Sequence, residues 1–153
     1  VGHPFKQESI RLSHSAQKEN WYRTWATRSS VHMAVILIVE DELFTREMAG
    51  ICIGDWGHEV LFAESVEEGL ALLQSDTPID ALFTDIYLNK AVFGGCDLAQ
   101  AAMAIRPGIR VLYTTGNSAN AKLKAMFVTG SHFLGKPYTP NQLQASVDGM
   151  LAA

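Results

Sequence analysis

From Ala34 onward, short apolar runs alternate with longer segments in which apolar residues recur every three or four positions. Runs of four to six residues rich in Val, Ile, Leu and Phe are typical of buried strands, whereas the longer period is typical of helices packed on one face. The predicted strands are Ala34–Val39, His58–Ala63, Ile79–Thr84, Ile109–Thr114 and Ser131–Leu134. Because right-handed crossovers join parallel strands, the alternation predicts an α/β fold: a five-stranded parallel sheet with helices on both faces.

Capping residues and glycines mark where the five helices begin and end. Ser65 followed by Glu68 predicts a capping box, and Thr139 followed by Pro140 and Gln142 predicts the start of the last helix. The predicted helices cover residues 42–54, 65–74, about 97–105, from Asn117 or Ser118 through Val128, and from Thr139 to the end of the chain.

The first and third helices carry further expectations. Phe44, Met48, Ile51 and Cys52 fall on one face of the first helix, which the helical period predicts to be its apolar face. The loop that follows Asp85 is long before it reaches a helical pattern, so the start of the third helix is the least defined boundary.

Polar residues follow the predicted strands directly. Glu40 and Asp41 come after the first strand, Asp85 after the third, Thr115 after the fourth and Lys136 after the fifth. The carboxyl ends of parallel strands share one edge of a sheet, and ligands bind there. Carboxylates held close together need a cation between them or a raised pKa. We therefore expect Glu40, Asp41 and Asp85 to hold Mg²⁺, with Asp85 as a nucleophile toward phosphorus and with Thr115 and Lys136 as donors to the phosphoryl oxygens.

Residues 1–33 differ from the rest of the chain. They are rich in Ser, His, Gln and Arg, and Met33 stands directly before the first strand. We expect an N-terminal extension that is mostly disordered, either a vector-derived leader or mis-assigned upstream translation. The alternative is an arm whose Trp21, Tyr22 and Trp25 dock on a partner or on the domain itself. Residues 34–153 would then be the only folded domain.

Composition and charge limit the classes of function. Of the 153 residues, 48% are hydrophobic, enough for one domain with a proper core. No apolar run approaches the ~20 residues of a bilayer-spanning helix, and Cys52 and Cys96 have no metal-like spacing, so we expect a cytoplasmic protein with reduced thiols and no membrane association. Residues 1–33 hold five Lys/Arg against two Glu, for +3, and the rest holds seven against fourteen acidic residues, for −7. The acidic body argues against nucleic-acid binding.

Four short motifs together resemble the receiver domain of two-component response regulators, over residues 34–153. They are Ile36-Leu37-Ile38-Val39-Glu40-Asp41-Glu42, Thr84-Asp85, Tyr113-Thr114-Thr115-Gly116 and Gly135-Lys136-Pro137-Tyr138. Each motif is weak alone, but their order and spacing are specific. The resemblance implies the flavodoxin-like (β/α)5 fold of receivers.

The resemblance also implies a role for individual residues. Asp85 would be the phosphoacceptor, Thr115 the switch hydroxyl and Lys136 the cation that contacts the phosphoryl group. The Mg²⁺ ligands would be Glu40, Asp41, Asp85 and the backbone carbonyl of Tyr87. Phe133 stands where the family has a switching aromatic residue, and Pro137 resembles the proline that follows a cis peptide bond.

The function that the resemblance implies is a stand-alone response regulator. It would accept a phosphoryl group from a sensor histidine kinase or a histidine phosphotransfer protein onto Asp85, lose it by hydrolysis, and turn over no external substrate. Partner binding would switch through the fourth helix, the fifth strand and the fifth helix. Thr114-Thr115-Gly116 with Lys136-Pro137-Tyr138 also resembles receivers found beside HWE-type histidine kinases.

Two departures and three alternatives accompany this interpretation. The first acid is Glu40 where Asp is commoner, and the loop after Asp85 lacks the frequent proline after Leu88. One alternative is a pseudo-receiver that binds partners without phosphorylation. Another is a haloacid-dehalogenase-like phosphohydrolase, but Tyr87 occupies the position of its second Asp. Flavin or dinucleotide binding lacks a Gly-rich loop after the first strand.

Overall fold

The computed structural model describes residues 32–89 and 91–153, and Met33–Ala153 forms one compact unit. Strands and helices alternate along this unit, as the hydrophobic pattern predicts. The strands are β1 (Val35–Val39), β2 (Glu59–Ala63), β3 (Ala81–Asp85), β4 (Arg110–Thr115) and β5 (His132–Gly135). The helices are α1 (Leu43–Asp55), α2 (Val66–Gln74), α3 (Gly94–Ile105), α4 (Ala121–Lys124) and α5 (Pro140–Ala152). The predictions for residues 1–31, including Trp21, Tyr22 and Trp25, lie outside the described residues.

The five strands form one parallel sheet in the order β2-β1-β3-β4-β5. Val39 is in register with Thr84, Asp85 with Thr114, and Thr115 with Gly135. The carboxyl ends of β1, β3, β4 and β5 therefore lie at one edge, and the predicted fold class is confirmed. The ends of β1 and β2 are as predicted, and the other strand bounds differ from the predicted ones by one or two residues.

Side chains that alternate along the strands supply two cores, one on each face of the sheet. On one face, Leu37 and Leu82 pack with residues of α2, α3 and α4. On the other, Ile36, Ile38 and Phe83 pack with residues of α1 and α5. Nearly all of these strand residues are fully buried, so the helices cover both faces and functional groups are left to the edges and loops.

The predicted apolar face of α1 is not the buried one. Arg46, Ala49, Gly50 and Ile53 face the sheet, whereas Phe44, Met48 and Ile51 are exposed and Cys52 is half-buried. The buried set also has helical spacing, but in small residues. A Cβ at position 50 would lie 2.3 Å from the ring of Phe62, so the glycine lets the helix approach β2 closely.

The fourth helix is shorter than predicted. It is a single turn, and its cap is Asn120, whose side chain accepts a hydrogen bond from the Leu123 N–H at 2.9 Å, rather than Asn117 or Ser118. The predicted continuation to Val128 is wrong because packing draws the following residues out of the helix. The ring of Phe127 stacks on Tyr113 at 4.3 Å, and the Val128 N–H donates to the Tyr113 hydroxyl at 3.2 Å.

The remaining helix starts follow the predicted capping chemistry with two changes. Thr139 and Gln142 form a full capping box, and Ser65 accepts the Glu68 N–H at 3.2 Å. The Glu68 carboxylate, however, accepts from the N–H of Glu64 instead of closing the box on Ser65. The third helix begins at Gly94, three residues before the predicted Asp97. Among the described residues, no helix is both long and apolar enough to cross a bilayer.

Candidate functional site

Three carboxylates meet where β1 and β3 end. Glu40 directly follows β1, Asp41 comes next, and Asp85 is the last residue of β3. One oxygen atom from each lies within 4.8 Å of the other two. Glu40 and Asp85 are buried and Asp41 is half-buried, so two of the three charges are removed from bulk water. The three residues cluster as predicted, because β1 and β3 are parallel neighbours and end at the same edge.

The ammonium group of Lys136 bridges the two buried carboxylates. Its Nζ donates to Glu40 Oε2 at 2.6 Å and to Asp85 Oδ2 at 2.7 Å. The lysine follows β5, where its backbone N–H donates to the Thr115 carbonyl at 2.9 Å, and the Lys136–Pro137 peptide bond is cis. Burial by itself would lower the pKa of Lys136, but the hydrogen bonds with Asp85 and Glu40 raise it above the ordinary value. Lys136 therefore stays charged at neutral pH.

Glu40 is the most constrained of the three acids. Burial raises its pKa above the ordinary value, and the hydrogen bond and charge of Lys136 offset only part of that effect. Its Oε1 accepts the Glu42 N–H at 3.1 Å. Arg46, buried in α1, donates from Nη1 to the Glu40 carbonyl oxygen at 2.7 Å. Sequence reasoning missed Arg46, because an isolated basic residue beside an apolar helical period indicates a solvated face.

The loop between β3 and α3 contacts two of the carboxylates through backbone N–H groups. Tyr87 donates to Asp85 Oδ1 at 3.1 Å, and Asn89 donates to Asp41 Oδ2 at 2.9 Å. The ring of Tyr87 packs against Phe93, with centroids 5.5 Å apart. Backbone donors carry no sequence signal, so the role of Asn89 could not be predicted.

Thr115 and Phe133, the two predicted switch residues, lie on β4 and β5. Thr115 is buried at the end of β4, and its hydroxyl accepts the Asn117 N–H at 3.2 Å. Within residues 32–89 and 91–153, no hydrogen bond joins this hydroxyl to Asp85 or Lys136. Phe133 is half-buried on β5 and stacks on Phe127 at 6.0 Å. The structure thus brings the three acids and Lys136 together, whereas the Thr115 hydroxyl and the Phe133 ring contact Asn117 and Phe127 instead.

The donor set fits a hard divalent cation such as Mg²⁺. Carboxylate oxygens are the ligands that Mg²⁺ prefers, and it usually binds through one or two of them while keeping several waters. Every carboxylate oxygen has two acceptor sites, so one hydrogen bond leaves room for ligation. A cavity of about 500 Å³ borders Asp41 and is further lined by Glu64, Glu67, Leu88 and Asn89. Its acidic lining attracts cations and leaves room for a hydrated ion.

Comparison with known proteins identifies the same part of the chain. A family model described as the response regulator receiver domain matches residues 36–148. A response regulator receiver protein of Anaeromyxobacter sp. is 35% identical over 89 residues, which are 58% of this chain and 36% of that protein. A probable transcriptional regulatory protein of Picosynechococcus sp. is 29% identical over 125 residues, which are 77% of this chain and 49% of that protein.

Solved structures agree with these sequence matches. The crystal structure of a response regulator receiver protein from Sinorhizobium medicae superposes with a TM-score of 0.73 at 28% identity, covering 81% of this chain and 98% of that one. The chain spans half or less of the length of the two curated relatives above.

Proposed function

The chain belongs to the family of response regulator receiver domains, and from this premise we propose that Asp85 accepts a phosphoryl group from a phosphohistidine donor. Receivers of response regulators act in two-component signalling. The observation that carries the proposal is the pairing of Asp85 with Lys136 at 2.7 Å, beside two further carboxylates at the open edge of the sheet. The site thus places a nucleophile next to a candidate metal site and next to a cation that can neutralise the charge of the incoming phosphoryl group.

The proposed reaction is an exchange of one phosphorus bond for another. A carboxylate oxygen of Asp85 attacks the phosphorus atom, a P–O bond forms, and the P–N bond of the donor breaks with its electron pair left on the imidazole nitrogen. Water later attacks the acyl phosphate, which releases inorganic phosphate and returns Asp85 to a carboxylate. Mg²⁺, held by Glu40, Asp41, Asp85 and the carbonyl of Tyr87, would neutralise charge on the phosphoryl oxygens.

Lys136 has two successive roles in this proposal. Before transfer, its ammonium neutralises Glu40 and Asp85 and fixes the orientation of the nucleophile. After transfer, the same group lies close enough to contact a phosphoryl oxygen on Asp85, and Thr115 supplies a second donor once its hydroxyl turns from Asn117. The movement of Thr115 is the proposed start of the switch.

The exposed face of α1 supports a protein rather than a small molecule as donor. Leu43, Phe44, Met48 and Ile51 are all exposed on this helix, which begins two residues after Asp41. A group of large apolar side chains in water is typical of a protein-docking surface. We therefore place the docking of a histidine kinase or a histidine phosphotransfer protein on α1, and pairing with an HWE-type kinase remains a prediction.

The proposed output surface comprises α4, β5 and α5. Phe127 follows α4, and its ring stacks on Tyr113 of β4 and on Phe133 of β5, so it connects the segment after α4 to both strands. A shift of Thr115 and Phe133 toward the phosphoryl group would bias this packing and change partner binding. The relative from Picosynechococcus sp. is named a transcriptional regulator, so the expected lack of nucleic-acid binding stays a prediction about residues 34–153.

Phosphate-affinity gel electrophoresis tests the proposal. The protein is incubated with acetyl phosphate and Mg²⁺, beside Asp85→Asn and the exposed control Asp76→Asn. We expect the wild type and the control to show a retarded band that chelation of Mg²⁺ prevents, and Asp85→Asn to show none. An equal retarded band in Asp85→Asn contradicts the assignment. Partner binding that is unaffected by phosphorylation would favour the pseudo-receiver.

A further inference from the structure

A buried hydroxyl group lies beside the acidic site without a partner. Thr114 is 2% exposed, and its Oγ1 forms no hydrogen bond within the part of the chain that the structure describes. The neighbouring threonines differ: Thr84 donates to the Asp85 carbonyl at 2.9 Å, and Thr115 accepts from Asn117. A buried hydroxyl that gives up water without a replacement partner destabilises the fold, so an unpartnered one calls for an explanation.

Thr114 borders a small cavity between the sheet and α1. The cavity measures about 10 Å³, and its polar lining comes from Thr114, Glu40, Asp85 and Thr45, with the ring of Tyr138 at one side. Thr114 is opposite Asp85 in the register of β3 and β4, so its side chain lies next to that of Asp85, on the same face of the sheet. The volume lies at the lower limit of the roughly 10–15 Å³ that a single water needs, and a buried water also needs two to four polar partners.

We propose that this cavity binds one ordered water molecule that connects the Thr114 hydroxyl to the carboxylates of Glu40 and Asp85. Thr114 donates to the water, and the water donates its two protons to the acid pair. Each of these carboxylates already receives one donor from Lys136 and one from a backbone N–H. The water lies on the α1 side of the sheet and adds a third hydrogen bond to each carboxylate, which leaves acceptor sites for a metal ion.

Thr114 is thereby a positioning residue for Asp85. A carboxylate held by Lys136, Tyr87 and the water has fewer orientations than one held by two donors, and preorganised donors raise the rate of attack. This consequence for phosphorylation rests on the proposed function. The water site itself does not, since it follows from burial, volume and the polar lining.

Paired substitutions at position 114 separate a hydrogen-bonding role from a packing role. Thr114→Val keeps the shape and removes the hydroxyl, whereas Thr114→Ser keeps the hydroxyl and removes a methyl group. We expect Thr114→Val to lower the rate of phosphorylation by acetyl phosphate about tenfold, as loss of a supporting partner typically does. Thr114→Ser should keep a phosphorylation rate close to that of the wild type, because it retains the hydroxyl group. Pure packing predicts the reverse order, and that result overturns the positioning role.

High-resolution crystal structures of the three proteins test the water directly. We expect density for one water within hydrogen-bonding distance of residue 114 in the wild type and Thr114→Ser, and none in Thr114→Val. A wild-type cavity without that density overturns the proposal. If the density is present but the wild type is not phosphorylated, the proposed function fails while the water site stands. In that case no phosphorylation rate can be measured, and the affinity of the three proteins for Mg²⁺, measured by calorimetry, tests whether Thr114 positions Asp85.

Discussion

At the residue scale, the site is governed by one cation shared between two acids. Lys136 lies 2.6 Å from Glu40 and 2.7 Å from Asp85, both of which are buried. Neither carboxylate could remain charged at low cost without it, because a buried charge needs a partner. A divalent ion would bind the same carboxylates, so Lys136 and Mg²⁺ would compete for their negative charge.

That competition predicts the effect of Lys136→Met on metal affinity. With the ammonium removed, the carboxylates repel one another more strongly, and we expect Mg²⁺ to bind about tenfold more tightly, equivalent to about 1.4 kcal/mol. Calorimetric titration measures the affinity, and Lys124→Met, an exposed lysine on α4, is the matched control. An affinity for Mg²⁺ that stays unchanged or weakens in Lys136→Met would contradict the account.

A second residue-scale prediction concerns His58 and pH. Burial lowers the pKa of His58 below its ordinary value of 6.5, although the charge of Asp148 acts in the opposite direction. Its Nδ1 accepts the Ala34 N–H at 3.2 Å, which requires the neutral ring. As the pH falls below 6.5, His58 becomes protonated in the unfolded chain before it does in the folded chain. The free energy of unfolding therefore falls as the pH falls.

Denaturation at about pH 7.5 and about pH 5.5 measures this effect on either side of the ordinary histidine pKa. We expect His58→Gln, which keeps an acceptor, to lose less stability between the two values than the wild type. The half-buried His132 supplies the matched control, His132→Gln, which should behave like the wild type. Equal losses in the wild type and His58→Gln would refute the assignment.

At the element scale, α1 carries its large apolar residues outward and its small ones inward. Phe44 is 72% exposed, whereas Ile53 is fully buried. Two faces of α1 have helical spacing in the sequence. The prediction chose the face with the larger apolar residues, and the structure buries the other one. The packing of the Phe62 ring against Gly50, where an added Cβ would lie 2.3 Å from the ring, is a feature of the folded structure that the sequence pattern does not show.

Substitutions on the two faces of α1 should separate stability from function. Phe44→Ser should change the free energy of unfolding by less than about 0.5 kcal/mol, because the ring is exposed. Ile53→Ala should cost about 2–5 kcal/mol through the cavity it leaves. We also expect Phe44→Ser to slow phosphotransfer from a histidine phosphotransfer protein while leaving phosphorylation by acetyl phosphate unchanged. A variant that slows neither reaction, or both equally, removes α1 as the docking surface.

The junction of β3 and α3 gives another element-scale prediction. A Cβ at Gly95 would lie 1.9 Å from the Asp85 carbonyl oxygen, so the first turn of α3 can pass this close to β3 only with glycine at position 95. We expect Gly95→Ala to cost about 3 kcal/mol or more by forcing the helix away from the strand. Gly54→Ala in α1, where nothing lies within 4 Å, should instead stabilise by about 0.5–1 kcal/mol. Chemical denaturation of both variants checks this, and a tolerated Gly95→Ala would show that the junction is not tight.

At the scale of the whole molecule, the parallel sheet converts residues far apart in sequence into one site. Residues 40, 85 and 136 lie at the carboxyl ends of three different strands, and the parallel register brings those strand ends together. The clustering of these residues could be predicted from the sequence. Once a strand is recognised and the sheet is known to be parallel, an acid at the end of that strand is placed at the carboxyl edge without any knowledge of side-chain packing. The short α4 could not be predicted, since stacking of Phe127 on Tyr113 overrides the local helical preference. The backbone donor of Asn89 was equally hidden, because any residue has an N–H.

Chemical trapping of the phosphorylated residue tests the central claim most directly. The protein is treated with acetyl phosphate and Mg²⁺, reduced with borohydride, which converts an aspartyl phosphate into homoserine, and digested for mass spectrometry. We predict homoserine at position 85 alone, and none when Mg²⁺ is withheld. Homoserine at position 41, or at no position in a folded sample, would contradict the account.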